Sequence, residues 1–387
     1  MPETLRAAVA APAAGRDPRL DVLRGLSLVM IFINHTPGQI YENLTSRNFG
    51  FSDAAEGFVL MSGIAAGLAY MRYFAGPGPY WAGVARLWRR SWTLYKVHLV
   101  TTAMALGVAA ATAQWFGGFG MMQLNEVDKF YEKPLQFLIG IPTLAHQLGY
   151  ANILPLYAAL LLVAPGLIWL ALRAPRVLLA GSLALWFITP MYWLNMPSYP
   201  NGSGWFLNPF AWQLLFVLGL LTGVAAKHGQ RFVPVKRWLV ALCIVWLIFC
   251  AAAAIYEPLE LAFGHVLWLA AEKLHFPWIA VAFDKTYLTV PRLSHALALA
   301  YVLSVWPAVR QACASRFAAP FALLGRHALP VFGLGVVLCY TANGVKTVMP
   351  QSLALDTALI GTGIALMLAL AGAKEAWKRA EARAQIR

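Results

Sequence analysis

Charge is scarce in this sequence: Asp, Glu, Lys and Arg make up 12% of its 387 residues, whereas hydrophobic residues make up 60%. A soluble domain carries about a quarter of its residues as charges, so the composition excludes that class and leaves the membrane class. The net charge of +14 does not argue for nucleic acid, because Lys and Arg fall between long apolar runs instead of gathering on one polar face. No nucleic-acid partner is expected. The four cysteines, Cys243, Cys250, Cys313 and Cys339, lack metal-type spacing and lie in or beside apolar segments. They read as small hydrophobic fillers, with no disulfide expected. The eight histidines are scattered, and none has a second ligand at helical spacing together with a third partner, so no metal site is expected. The Ala-rich start is not followed by a small-residue cleavage site, so the N-terminus is kept in the mature chain. No internal repeat is evident, which weakens a reading as an inverted-repeat transporter.

What is present is a series of apolar runs near the length of about 20 residues that a transmembrane helix needs. They lie near 21–37, 54–74, 94–114, 150–172, 176–195, 207–226, 236–256, 293–311, 322–342 and 353–374. The expected fold is all-α, a polytopic membrane bundle of about ten transmembrane helices. With the N-terminus inside, most of the 30 Lys and Arg fall on the inner side and most of the 16 Asp and Glu on the outer. The positive-inside rule then places both termini in the cytoplasm. Residues 1–18 read as a flexible cytoplasmic N-terminus and 375–387 as a cytoplasmic tail. The long outer segments 115–149 and 257–292 have room for an interfacial or re-entrant helix.

Ionisable groups at membrane depth are functional candidates, and the first two helices carry several. RLDVLRGLSLVMIFINHTPG at 19–38 holds Asp21, Arg24 and His35. Arg24 and His35 are eleven residues apart, almost three helical turns, so they share a face and stand about 16 Å apart along the axis. Arg24 reads either as an interface anchor paired with Asp21 or as a functional cation. His35 reads either as a satisfied core histidine or as a proton-transfer group at the outer mouth. In FGFSDAAEGFVLMSG at 49–63, Asp53 and Glu56 sit three apart at the start of the second helix. They suit a capping box, and equally a pair of carboxylates able to orient the His35 imidazole. Gly63 and Gly67 form a G-x-x-x-G pair, a packing signal.

These stretches, with ANILPLYAALLL at 151–162, DKTYLTVPRLSHALALAY at 284–301 and GRHALPVFGLG at 325–335, resemble the OpgC-type integral-membrane succinyltransferases of osmoregulated periplasmic glucans. The first two helices also resemble the broader membrane acyltransferase superfamily that modifies surface glycans. The resemblance spans nearly the whole chain. It implies a single acyltransferase domain over 1–387 in the bacterial inner membrane, no permanently bound cofactor, a cytoplasmic succinyl-CoA donor and a periplasmic glucan acceptor, with membrane lipids around it.

On that implication the remaining candidates fall into place as expectations. His35 is the candidate general base, with Asp53 or Glu56 stabilising its imidazolium. Arg86, Arg89 and Arg90 share one helical face as a patch for CoA phosphates, although a basic inner loop is also what topology demands. Asn152 and Tyr157, near the outer end of helix four, are candidates to orient the acyl group or its oxyanion, or else a cap and an interfacial tyrosine. Lys285 and Arg292 are candidates for the succinyl carboxylate. Trp193, Tyr199 and Trp205 read as an aromatic belt or as stacking partners for sugar rings. The competing classes are a transporter or flippase and a noncatalytic scaffold; oligomeric state stays open.

Overall fold

The structure is a computed structural model, and it describes residues 17–123, 127–200 and 202–385. Among the described residues the regular structure is helical, without strands. Residues 1–16 of the expected N-terminal segment lie outside the described residues.

Helix α1, Pro18–Asn34, begins where the Asp17 side chain accepts from the Arg19 backbone N–H at 3.0 Å and Pro18 fills the first turn, the usual way to satisfy exposed helix N–H groups. It ends at His35. Helix α2, Ala54–Tyr70, begins with a capping box: Asp53 accepts from Ala55 N–H at 2.8 Å and Glu56 accepts from Asp53 N–H at 3.0 Å. Helix α3, Trp81–Phe116, has 36 residues and stops at Gly117, whose φ of 69° is left-handed. At 1.5 Å per residue it is about 54 Å long, well beyond the roughly 30 Å of a bilayer core. The run read from sequence as 94–114 is therefore only the C-terminal part of this helix, which starts at Trp81. Arg86, Arg89 and Arg90 stand on the helix itself and not in a loop.

Helices α4 (Ile153–Arg173) and α5 (Pro175–Met191) follow, separated by Ala174. Helix α6, Pro209–Lys227, is the most enclosed, burying Trp212, Phe216, Leu220 and eight or more neighbours along its length. Its partner is α2, and the contact is glycine against backbone on both sides. A Cβ at Gly63 or Gly67 would run into the backbone of Phe216 or Leu220, and one at Gly219 or Gly223 into the backbone of Leu60 or Ile64. The G-x-x-x-G signal on α2 thus serves packing within the chain, met by a second such pair on α6, because close backbone approach drives helix association in lipid. Helices α7 (Arg237–Ile255) and α8 (Glu257–Leu274) stand at the periphery. α8 buries none of its residues and lies in the long outer segment. Helix α9 (Val290–Val305) is followed after a 74° bend by Pro307–Ala314. Helix α10, Ala328–Val348, and α11, Leu353–Ala384, complete the bundle. The stretch read as a tail from 375 continues α11 as helix to Ala384, because Ala, Glu, Lys and Arg are strong helix formers.

Among the described residues, seven helices are long and apolar enough to cross a membrane, or eight if the bent pair at α9 counts as one span. α1 and α5, with 17 residues each, fall just short of that length. All four cysteines are buried and free.

Candidate functional site

The C-terminal end of α1 is held by α10. Asn343 donates to the His35 carbonyl at 3.0 Å, and Lys346 donates to the Pro37 carbonyl at 2.9 Å while pairing with Asp356 at 2.8 Å. These contacts fix the backbone and leave the half-buried His35 ring to the interior, where it stacks on Tyr150 with centroids 4.4 Å apart and planes at 21°. Its two ring nitrogens make no hydrogen bond with the described residues.

Beside it, the start of α2 meets the segment leading into α9. Arg292 clamps Glu56 by donating from Nε at 2.9 Å and from a terminal nitrogen at 2.5 Å to the same oxygen, Oε1, a pair of charge-assisted hydrogen bonds. Asp53 pairs with Lys285 and stands 3.5 Å from Arg292. Glu56 is fully buried, and a charge there persists only because it is both paired and hydrogen-bonded. Burial alone would raise the Asp53 carboxyl, but Lys285 and Arg292 outweigh it and hold the group well below the usual carboxylate range. The capping and charge readings of Asp53 and Glu56 thus coexist, since each carboxylate gives one oxygen to backbone and the other to a cation. Their hydrogen bonds do not go to His35. The expectation that one of them orients the imidazole directly is corrected, and the reason is that Lys285 and Arg292 are closer and charged.

Next to this cluster Ser52 Oγ lies 2.7 Å from His295 Nδ1, with the ring against Gly50, where a Cβ would collide with it. Gly50, Ser52, Asp53, Lys285 and Arg292 border a cavity of about 390 Å³. Of the candidates from sequence, His35, Asp53, Asn152, Lys285 and Arg292 line it. Asn152 Oδ1 is buried and unpartnered there, which a native structure seldom tolerates without a ligand or water.

The other candidates sit elsewhere. Tyr157, about one and a half turns further along α4, does not line the cavity; its ring lies 6.4 Å from that of Phe216. Arg24 donates to the Met61 carbonyl at 3.3 Å, a contact to α2. Arg86 and Arg89 are exposed on α3, with Arg86 over the Tyr73 ring at 4.9 Å, and Arg90 is half-buried. Between the two polar regions lies a small apolar hollow lined by Leu28, Phe32, Phe332 and Met367 beneath His35. Trp205 is buried, whereas Trp193 is exposed and packs edge-on against Tyr287 at 5.4 Å.

Sequence reasoning missed Tyr150, His295 and Arg47, all at this end. Arg47 had a usable signal, since the expected topology puts it in an outer loop, which the positive-inside rule leaves poor in cations. Tyr150 and His295 had none beyond lying inside quoted motifs or beside them.

An all-helical membrane protein with buried ion pairs beside a cavity at the C-terminal end of α1 is the class this arrangement defines. A family model described as OpgC protein matches residues 16–379, and the chain belongs to that family. Its role lies in modification of osmoregulated periplasmic glucans, as a transferase acting on them. No curated protein matches the chain, and no solved structure does.

Proposed function

We propose that this chain transfers a succinyl group from a cytoplasmic CoA thioester to a hydroxyl of a periplasmic glucan, across the bacterial inner membrane. The observation that carries the reading is the His35 imidazole, unbonded at both nitrogens and stacked on Tyr150 at the wall of the 390 Å³ cavity. In this reading α1 and α5 also span, which with the other eight gives ten spans and both termini in the cytoplasm.

His35 takes the proton of the sugar hydroxyl as that oxygen attacks the thioester carbonyl. The tetrahedral oxyanion collapses, the C–S bond breaks, and the imidazolium returns its proton to the CoA thiolate. Asp53 acts on the imidazolium through space, by charge, with Lys285 and Arg292 holding it in place. Glu56 fixes Arg292. Asn152 is positioned to accept a hydrogen bond from an acceptor hydroxyl with its unpartnered Oδ1. On the inner side Arg86, Arg89 and Arg90 attract the CoA phosphates, and Arg24 and Tyr157 lie between them and the cavity.

The test follows free-thiol release from succinyl-CoA, with and without a β-glucan acceptor, by purified protein in nanodiscs. Acceptor-dependent release by the wild type that is lost in His35→Gln, with an unchanged melting curve, supports the reading. Glucan left unacylated by the wild type, or full activity of His35→Gln, overturns it and favours a transport role.

A further inference from the structure

Of the three cations on the wall of the outer cavity, Arg47, Lys285 and Arg292, two are already committed. Arg292 is clamped on Glu56, and Lys285 is paired with Asp53. An anion approaching either one also meets the Asp53 carboxylate. Arg47 differs. Its guanidinium makes no hydrogen bond with the described residues; its acidic neighbour is Glu42 at 4.0 Å, and its side chain is 49% exposed. An ion pair at that distance and exposure contributes little, so most of the five N–H donors of the guanidinium are available.

The backbone that carries Arg47 is nonetheless pinned on both sides. Before it, Thr45 donates to Asn34 Oδ1 at 2.6 Å, and Tyr41 bonds Thr357 at 2.7 Å. After it, Ser52 is bonded to His295, whose ring fills the space beside Gly50. A cation with free donors on a fixed loop, facing a cavity that also holds His35, is preorganised for an anionic group.

We propose that Arg47 receives the free carboxylate of a dicarboxylic acyl group and so makes the site prefer a half-acylated dicarboxylic acid over a neutral acyl chain of similar length. The inference deepens the acyl-transfer reading and rests on it for the identity of the ligand. The carboxylate takes two parallel N–H···O bonds from the guanidinium, while the carbonyl end reaches toward His35.

The test has a binding arm and a transfer arm, both on the full chain in nanodiscs. In the first, methyl hydrogen succinate and methyl butyrate are titrated calorimetrically into wild type, Arg47→Met and Arg47→Lys. Loss of a charge-assisted pair weakens the acid by about 10- to 100-fold in Arg47→Met, with methyl butyrate little changed and Arg47→Lys intermediate. Equal weakening of both ligands, or none, overturns the proposal. In the second, succinyl-CoA and butyryl-CoA are compared as donors, and kcat/KM falls selectively for succinyl in Arg47→Met. If the wild type transfers neither acyl group while acid binding still depends on Arg47, acyl transfer fails and the Arg47 assignment stands. If succinyl transfer is unaffected in Arg47→Met, the assignment fails alone.

Discussion

The two ends of α1 handle charge in opposite ways. At its C-terminal end, Asp53, Glu56, Lys285 and Arg292 are drawn out of water and paired with one another, with Glu56 fully buried. At its N-terminal end, taken as the inner one in the proposed topology, Arg86 and Arg89 remain on the exposed face of α3, and Arg86 rests on the Tyr73 ring. Buried pairs cost desolvation that only good geometry offsets, so they are spent where position matters. Exposed arginines keep their water and their mobility, which in the acyl-transfer reading suits capture of a large anionic donor by charge more than by shape. In that reading the outer end is built for geometry and the inner end for attraction.

The sharpest break in this comparison comes at His35. His35→Gln should lower acceptor-dependent thiol release by about 10²- to 10⁴-fold, the usual worth of a general base, without moving the melting temperature. Next comes the ion-pair cluster. Arg292→Met leaves Glu56 buried without its partner and should destabilise the fold by about 3–5 kcal/mol; adding Glu56→Gln should recover part of that loss in thermal denaturation. A smaller effect is expected at the α2–α6 contact. Gly63→Ala places a methyl against the Phe216 backbone, and the forced separation should cost about 1–3 kcal/mol, read as a lower melting temperature with KM for both substrates little changed. The smallest belongs to the inner end, where Arg89→Gln should raise KM for the CoA donor only a few-fold, in line with about 0.5–1 kcal/mol for an exposed contact. Raising the salt concentration should mimic that effect and leave the outer cluster untouched, because buried pairs are screened far less. A salt-sensitive outer site, or a salt-insensitive KM for CoA, would erase the contrast.

Much of the fold was legible because apolar run length and charge bias are local properties. The helices at 54–74, 150–172, 207–226 and 236–256 appear within a few residues of the runs that announced them. Asp53 and Glu56 were legible as a capping box for the same reason, since a spacing of three within one turn is enough. The start of α3 was not, because its first turns, with Arg86, Arg89 and Arg90, are polar and read as a loop although they propagate the helix. At the site, the sequence placed His35, Asn152, Lys285 and Arg292 among the candidates but not their partners. Lys285 and Arg292 appeared free to hold a ligand, whereas more than 230 positions separate each from the carboxylate it meets. Tyr157 was grouped with Asn152 because both lie in one motif, yet of the two it is Asn152 that lines the cavity.

By itself the sequence determined the membrane class, the helical architecture and the short list of ionisable residues inside it. Each follows from composition or from a spacing of a few residues, where local physics leaves little choice. The tertiary structure decided which charges neutralise each other, that Tyr150 supports the His35 ring, and that Arg47 is left with open donors beside the cavity. Those outcomes depend on which helix ends meet, and helix packing is chosen by the fit of whole surfaces, such as the glycine contact between α2 and α6, that no local stretch of sequence contains.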